Sequence, residues 1–199
     1  TIQSSIMELV DNSVDAKSTE VRINYDTTNN RLFIIDNGKG MNYEKLTTMS
    51  NLYDHKASKE EITHGKFGIG AKDAWFQIGG HWWILTKIKN NNNIPLLEWN
   101  TEGLIKWANN EIIDGNFISL SQNSTEDMRK IYNQHKIQNS ESGTIILCNL
   151  PEETRDNDFK NKLFKIVKEI QMKYQNKRCA IYHNFDGNTT EYTKVEHYD

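Results

Sequence analysis

Three short segments carry side chains that could act together on one ligand. The first is Glu8-Leu-Val-Asp-Asn12-Ser-Val-Asp15-Ala16. Glu8 and Asn12 stand four residues apart, so on a helix they share one face. A carboxylate and a carboxamide there can hold a water and a divalent ion side by side. The neutral oxygen of Asn12 suits Mg2+, which takes few protein ligands and keeps several waters. The second segment, Asp36-Asn-Gly38-Lys-Gly40-Met41, follows the apolar run Leu32–Ile35. An ionised carboxylate at a strand end can accept a hydrogen bond from the exocyclic amine of adenine, and it would repel the carbonyl that guanine carries at that position. Gly38 and Gly40 let a flat ring approach the backbone, and Met41 offers a soft apolar wall. The third, Gly65-Lys-Phe67-Gly68-Ile69-Gly70-Ala71-Lys72, is a glycine-rich loop running into a helix. Its free N–H groups can face phosphate oxygens, with Lys72 as a cation beside them. The spacing matches neither a Rossmann fingerprint nor a Walker loop. Each segment alone is weak; together they read as a site for ATP and Mg2+.

Plainer readings stand beside these. Asp-Asn-Gly is a common hairpin turn, Asp15-Ala16 is a serviceable helix end, and Asp11, Lys56 and Lys66 read as solvated charges. Asn in mid-helix is locally unfavourable, and such a choice often marks a functional position. His55, His64 and His81 match no zinc spacing.

The segments need elements to position them. Ile2, Ile6, Leu9 and Val10 recur at helical spacing, so a first helix runs to about Asp15. Glu20–Tyr25 alternates as a half-buried strand and returns after a polar loop as Arg31–Ile35. Asn42 caps a short helix through Met49. Residues 51–67 are polar and without period, a long connection of the kind kept for a lid. A helix from Gly70 ends at Gly79-Gly80. Strands are expected at His81–Lys87, Ile94–Thr101, Leu104–Ala108 and Phe117–Ser121, then a helix from Ser124 towards Ile137 and a strand at Gly143–Leu150. Beyond Pro151 an amphipathic helix reaches about Asn176, and Ala180–Phe185 with Tyr192–His197 resembles a hairpin. Helices layered on one mixed, largely antiparallel sheet give an α+β two-layer sandwich. Residues 151–199 either complete the domain formed by residues 1–150 or begin another.

At 199 residues the chain can bury one substantial core. The net charge of −3 gives no argument from bulk electrostatics for a nucleic-acid partner, so any such contact would need a local patch or another part of the protein. No apolar run approaches the roughly 18 residues a membrane span needs, and the first residues do not form a signal peptide. Cys148 and Cys179 have no metal-ligand spacing and fit a reducing, intracellular compartment. Trp82-Trp83, Trp99 and Trp107 read as core or interface packing.

In order and spacing the three segments closely resemble the GHKL superfamily of ATPases, which includes DNA gyrase B, the heat-shock chaperone of ninety kilodaltons, histidine kinases and MutL. The resemblance covers roughly residues 1 to 150. It implies a Bergerat-type ATP-binding fold, with Glu8 as general base for attack of water on the γ-phosphate. It also implies that Asp15 contacts the site or fixes the helix terminus. Gly143-Thr144-Ile-Ile-Leu147 is similar to the family's final strand, where the Thr supports the adenine-binding Asp. The stretch from Met41 through Asn51-Leu-Tyr-Asp-His-Lys56 to Lys72 looks most like the microrchidia (MORC) branch. That likeness implies an ATP-dependent homodimer and action on DNA or chromatin through regions outside this chain. Family members carry residues before the first helix, often a strap to a partner subunit, so the chain is expected to be a fragment or a trimmed member. An ATP-sensing module with little turnover and a histidine-kinase catalytic domain are the competing readings.

Overall fold

A computed structural model describes residues 1–50, 77–108, 111 and 118–185. Helix α1 (Ile2–Asp15) starts on a Thr1 capping box, in which the Thr1 hydroxyl accepts the Ser4 N–H and the Ser4 hydroxyl answers at the cap backbone. Its apolar stripe buries Ile6, Leu9 and Val10, each contributing about 1.5–3 kcal/mol on leaving water. Strands β1 (Glu20–Asp26) and β2 (Arg31–Asp36) form the expected antiparallel pair. Asn42 Oδ1 accepts the Lys45 N–H at 2.8 Å and caps α2 (Tyr43–Ser50). Strands β3 (His81–Lys87) and β4 (Leu96–Asn100) follow, then helix α3 (Thr101–Ala108), β5 (Ile118–Ser121), α4 (Glu126–His135) and β6 (Gly143–Asn149). A 3-10 turn at Glu152–Thr154 leads into α5 (Asn157–Tyr174), and β7 (Ala180–Asn184) ends the described chain.

The strands form one seven-stranded sheet in the order β5-β4-β3-β6-β2-β1-β7. Every pair is antiparallel except β1 with β7, which is parallel. Helices α1, α2 and α5 pack on one face through Leu9, Leu46, Leu163 and Val167, against Ile23, Ile34, Trp82 and Ile84 of the sheet. Helix α4 covers part of the opposite face, where Tyr132 meets Phe33, Ile35, Leu85 and Leu147. The α+β assembly expected from the element pattern is present, with α4 as an addition on the second face.

Two local expectations change. The segment Leu104–Ala108, read as a strand, lies in α3. Asn100 Oδ1 accepts the Gly103 N–H at 3.3 Å, and Lys106 pairs with Glu102 at 2.7 Å one turn back. A cap and an i,i+4 pair thus favour helix where the apolar residues alone were ambiguous. The strand read from Ile94 begins at Leu96, after Pro95, which has no N–H to donate. The second arm of the expected terminal hairpin, Tyr192–His197, lies outside the described residues. The first arm, Ala180–Asn184, is β7 and pairs in parallel with β1. Trp82 and Trp99 stack 5.7 Å apart in the core, as packing residues. Both cysteines are buried and free.

Candidate nucleotide site

Register across the three central strands builds the floor of the site. On the face beneath α1, Asp36, Thr144 and Thr86 are direct neighbours on β2, β6 and β3, and the next rank is Ile34, Ile146 and Ile84. A polar rank therefore borders an apolar one on the same face, because side chains two apart along a strand point the same way.

Asp36 is 5% exposed. Its Oδ1 accepts the Gly38 N–H at 2.9 Å and the Thr144 N–H at 3.2 Å. Burial pushes the carboxyl above its ordinary value, while hydrogen bonds from Gly38, Ser13, Thr144 and Ser18 oppose that shift. The turn after Asp36 is clamped on both sides. Asn37 Oδ1 accepts the N–H groups of Thr19 and Glu20, Lys39 N–H donates to the Ala16 carbonyl at 2.9 Å, and Ser142 donates to the Gly38 carbonyl at 2.7 Å. A Cβ on Gly38 would lie 2.7 Å from the Ala16 carbonyl oxygen. Gly40 has φ +69°, and a Cβ there would lie 2.1 Å from the Lys87 carbonyl oxygen, so both turn glycines serve close backbone approach.

Thr86, wholly buried, was not singled out from the sequence. Its hydroxyl oxygen accepts the Met41 N–H at 2.8 Å and lies 3.0 Å from the Thr144 hydroxyl. Thr144 was expected to support Asp36 directly or through water. Its backbone N–H makes that contact, while its hydroxyl turns to Thr86. Ser13 and Ser18 were missed too; one follows Asn12 on α1 and the other lies just past the helix end. A threonine inside an apolar strand gives no sequence signal for such a role.

Above this floor lies a cavity of about 630 Å³, within the range of small-molecule sites. Asn12 and Asp15 of α1, with Ala16 at its C-terminal end, line one side, Gly40, Met41 and Lys45 another, and Asp36, Thr144, Ile84 and Ile146 the base. Of the residues singled out from the sequence, Asn12, Asp15, Asp36, Gly40, Met41 and Thr144 thus meet at one cavity, and Gly38 braces its turn. Glu8 is partly buried on α1, one turn before Asn12, and is not among the lining residues. Gly65, Phe67, Gly68, Ile69, Gly70, Ala71 and Lys72 lie outside the described residues, as do Lys56, Lys66, His55 and His64. His81, the third histidine considered for metal, bonds Glu98 at 2.7 Å and stacks on Trp83. Among the described residues no group of three or more His, Cys, Asp or Glu is placed to hold a metal.

The sequence pattern of the histidine kinase-, DNA gyrase B- and HSP90-like ATPases matches residues 1–144. The chain belongs to this ATPase family. No curated protein matches it individually. Membership carries ATP binding, and the donor set of this ATPase-family domain fits the nucleotide. A buried carboxylate stands at the edge of an apolar floor, where a purine amine can meet an acceptor while the ring rests on Ile84 and Ile146. The carboxamide of Asn12, exposed at the other wall, is the type of neutral oxygen that Mg2+ accepts. Among the described residues no helix is long and apolar enough to cross a membrane.

Proposed function

We propose that the domain binds ATP with Mg2+ and hydrolyses it slowly. The reading rests chiefly on Asp36, held by two backbone N–H groups at the base of a cavity whose facing wall carries Asn12 and Asp15. Asp36 accepts the adenine amine. Met41, Ile84 and Ile146 exclude water from the ring, and Thr86 fixes the backbone of Met41. Asn12 offers its oxygen to Mg2+, which would spread the triphosphate charge. Glu8, one turn earlier on α1, orients a water and takes its proton, a role worth roughly 10²–10⁴ in rate. Residues 65–72 supply amides to the phosphates, and closure of the preceding lid over them drives dimerisation or domain movement. Such gating steps commonly limit turnover. The likeness to the MORC branch supports a place in an ATP-gated clamp acting on DNA or chromatin.

One observation favours a second reading, an ATP sensor with little turnover: Glu8 does not line the cavity among the described residues. Steady-state turnover and ATP binding of Glu8→Ala separate the two. The hydrolase reading expects unchanged binding and turnover at background; equal turnover in wild type and variant would overturn it.

A further inference from the structure

Helix α5 lies beyond the residues that match the family, yet it is tied to α1 by polar contacts that converge on Asp11. Lys173 Nζ donates to both Asp11 carboxylate oxygens at 2.8 Å, and the Tyr174 hydroxyl donates to Oδ1. Lys173 Nζ also lies 5.3 Å from the centroid of the Tyr174 ring. Two turns earlier on α1, Gln3 Nε2 donates to Glu169. Tyr174 is 9% exposed. Burial, then the bond to Asp11, raises its phenol pKa, so it remains a donor at ordinary pH. A lone exposed Lys–Asp pair would carry little weight. Here a buried phenol shares the same carboxylate, and a second tie at Gln3 resists rotation of the helix.

Asp11 immediately precedes Asn12, about 100° around the helix. It faces α5 while Asn12 and Asp15 face the cavity. We propose that Lys173 and Tyr174 are positioning residues for the nucleotide site: by gripping Asp11 they fix the rotation of α1, and with it the direction in which Asn12 presents its oxygen to Mg2+. An oxygen roughly 5 Å from the helix axis moves about 1 Å for a rotation of roughly 15°, given the dimensions of a helix. Mg2+ demands near-ideal octahedral geometry, so a shift of that size degrades the site. The inference rests on the assignment of Asn12 made above.

The test uses the 199-residue chain and the free Mg2+ needed for half-maximal ATP binding, measured by calorimetry. Adenosine binding without metal serves as the control. Lys173→Ala and Tyr174→Phe should each raise the Mg2+ midpoint by roughly three- to tenfold, less than the 10–100-fold typical of direct outer-shell partners. Adenosine affinity should hold, and Lys173→Arg should restore the midpoint. An unmoved midpoint with a lower melting temperature would show that the contacts only join two helices and would overturn the proposal. Equal loss of adenosine binding would overturn it as well. Asn12→Ala tells the two failures apart. If that variant leaves the midpoint unchanged, the assignment of Asn12 is wrong; if it alone moves the midpoint, only the grip on Asp11 is wrong.

Discussion

Replacing Thr86 by Val keeps the shape of a fully buried side chain and exchanges its hydroxyl for a methyl. Two consequences follow from the two short contacts of that hydroxyl; its third, to the Gly143 carbonyl at 3.4 Å, is long and adds little. The Met41 N–H, bonded to it at 2.8 Å, loses its partner in a part-buried position, at a cost of about 1–2 kcal/mol. The Thr144 hydroxyl, 3.0 Å away, loses a neighbour worth about 0.5–1 kcal/mol. The sum is about 2 kcal/mol, or a melting temperature lower by roughly 4–8 °C for a chain of this size. Because Met41 walls the cavity, ATP affinity should fall with it, by about tenfold if 1.4 kcal/mol of ring packing is lost. Calorimetric melting and ATP titration of Thr86→Val, Thr144→Val and the double variant measure this directly. The two hydroxyls touch, so the double variant should be less destabilised than the sum of the singles by about 0.5–1 kcal/mol. Stability within about 0.5 kcal/mol of wild type with unchanged ATP affinity would refute the role given to this polar rank. Strict additivity would refute the bond between the hydroxyls.

Gly40→Ala places a Cβ 2.1 Å from the Lys87 carbonyl oxygen at φ +69°; chemical denaturation should show a loss of about 1–3 kcal/mol, with weaker ATP binding. The pH dependence of Asp36 has a definite sign. Its folded pKa is raised by burial, so the stability due to its protonation is present below the unfolded value and is lost as pH rises through the raised folded value. Measured against Asp36→Asn by denaturation at a series of pH values, the wild-type chain should lose relative stability as pH rises through that window. A relative gain would contradict the burial argument. ATP binding should weaken on acidification through the same raised value, above the pH at which an ordinary carboxylate titrates.

Much of this architecture is legible in the sequence because local signals agree. The period of Ile2, Ile6, Leu9 and Val10, the alternation of Glu20–Tyr25 and the Asn42 cap each act within a few residues, and α1, β1 and α2 follow them closely. Glycine spacing likewise marked Gly38 and Gly40, whose need is steric and immediate. What escaped depends on partners far along the chain. Asp11 looked like a surface charge because Lys173 and Tyr174 lie more than 160 residues away. Thr86 looked like an ordinary strand residue because its meaning comes from the register that sets it beside Thr144. The pairing of β7 with β1 requires α5 to carry the chain back across the sheet, and no local pattern encodes that return. Residues 104–108 misled for the opposite reason: Leu104, Ile105 and Trp107 suit a strand, and the Asn100 cap decides for helix.

The carboxylate of Asp36 as acceptor for the purine amine is tested most directly by titrating wild type and Asp36→Asn with ATP and with GTP, each with Mg2+. Asn can keep both backbone contacts through its carbonyl oxygen, so the fold should survive and melt no lower at neutral pH. Wild type should prefer ATP, and the variant should lose ATP affinity by roughly ten- to hundredfold, the equivalent of about 1–3 kcal/mol, with its preference over GTP gone. An Asp36→Asn chain that still binds ATP as tightly as wild type, and still discriminates against GTP, would place the purine elsewhere.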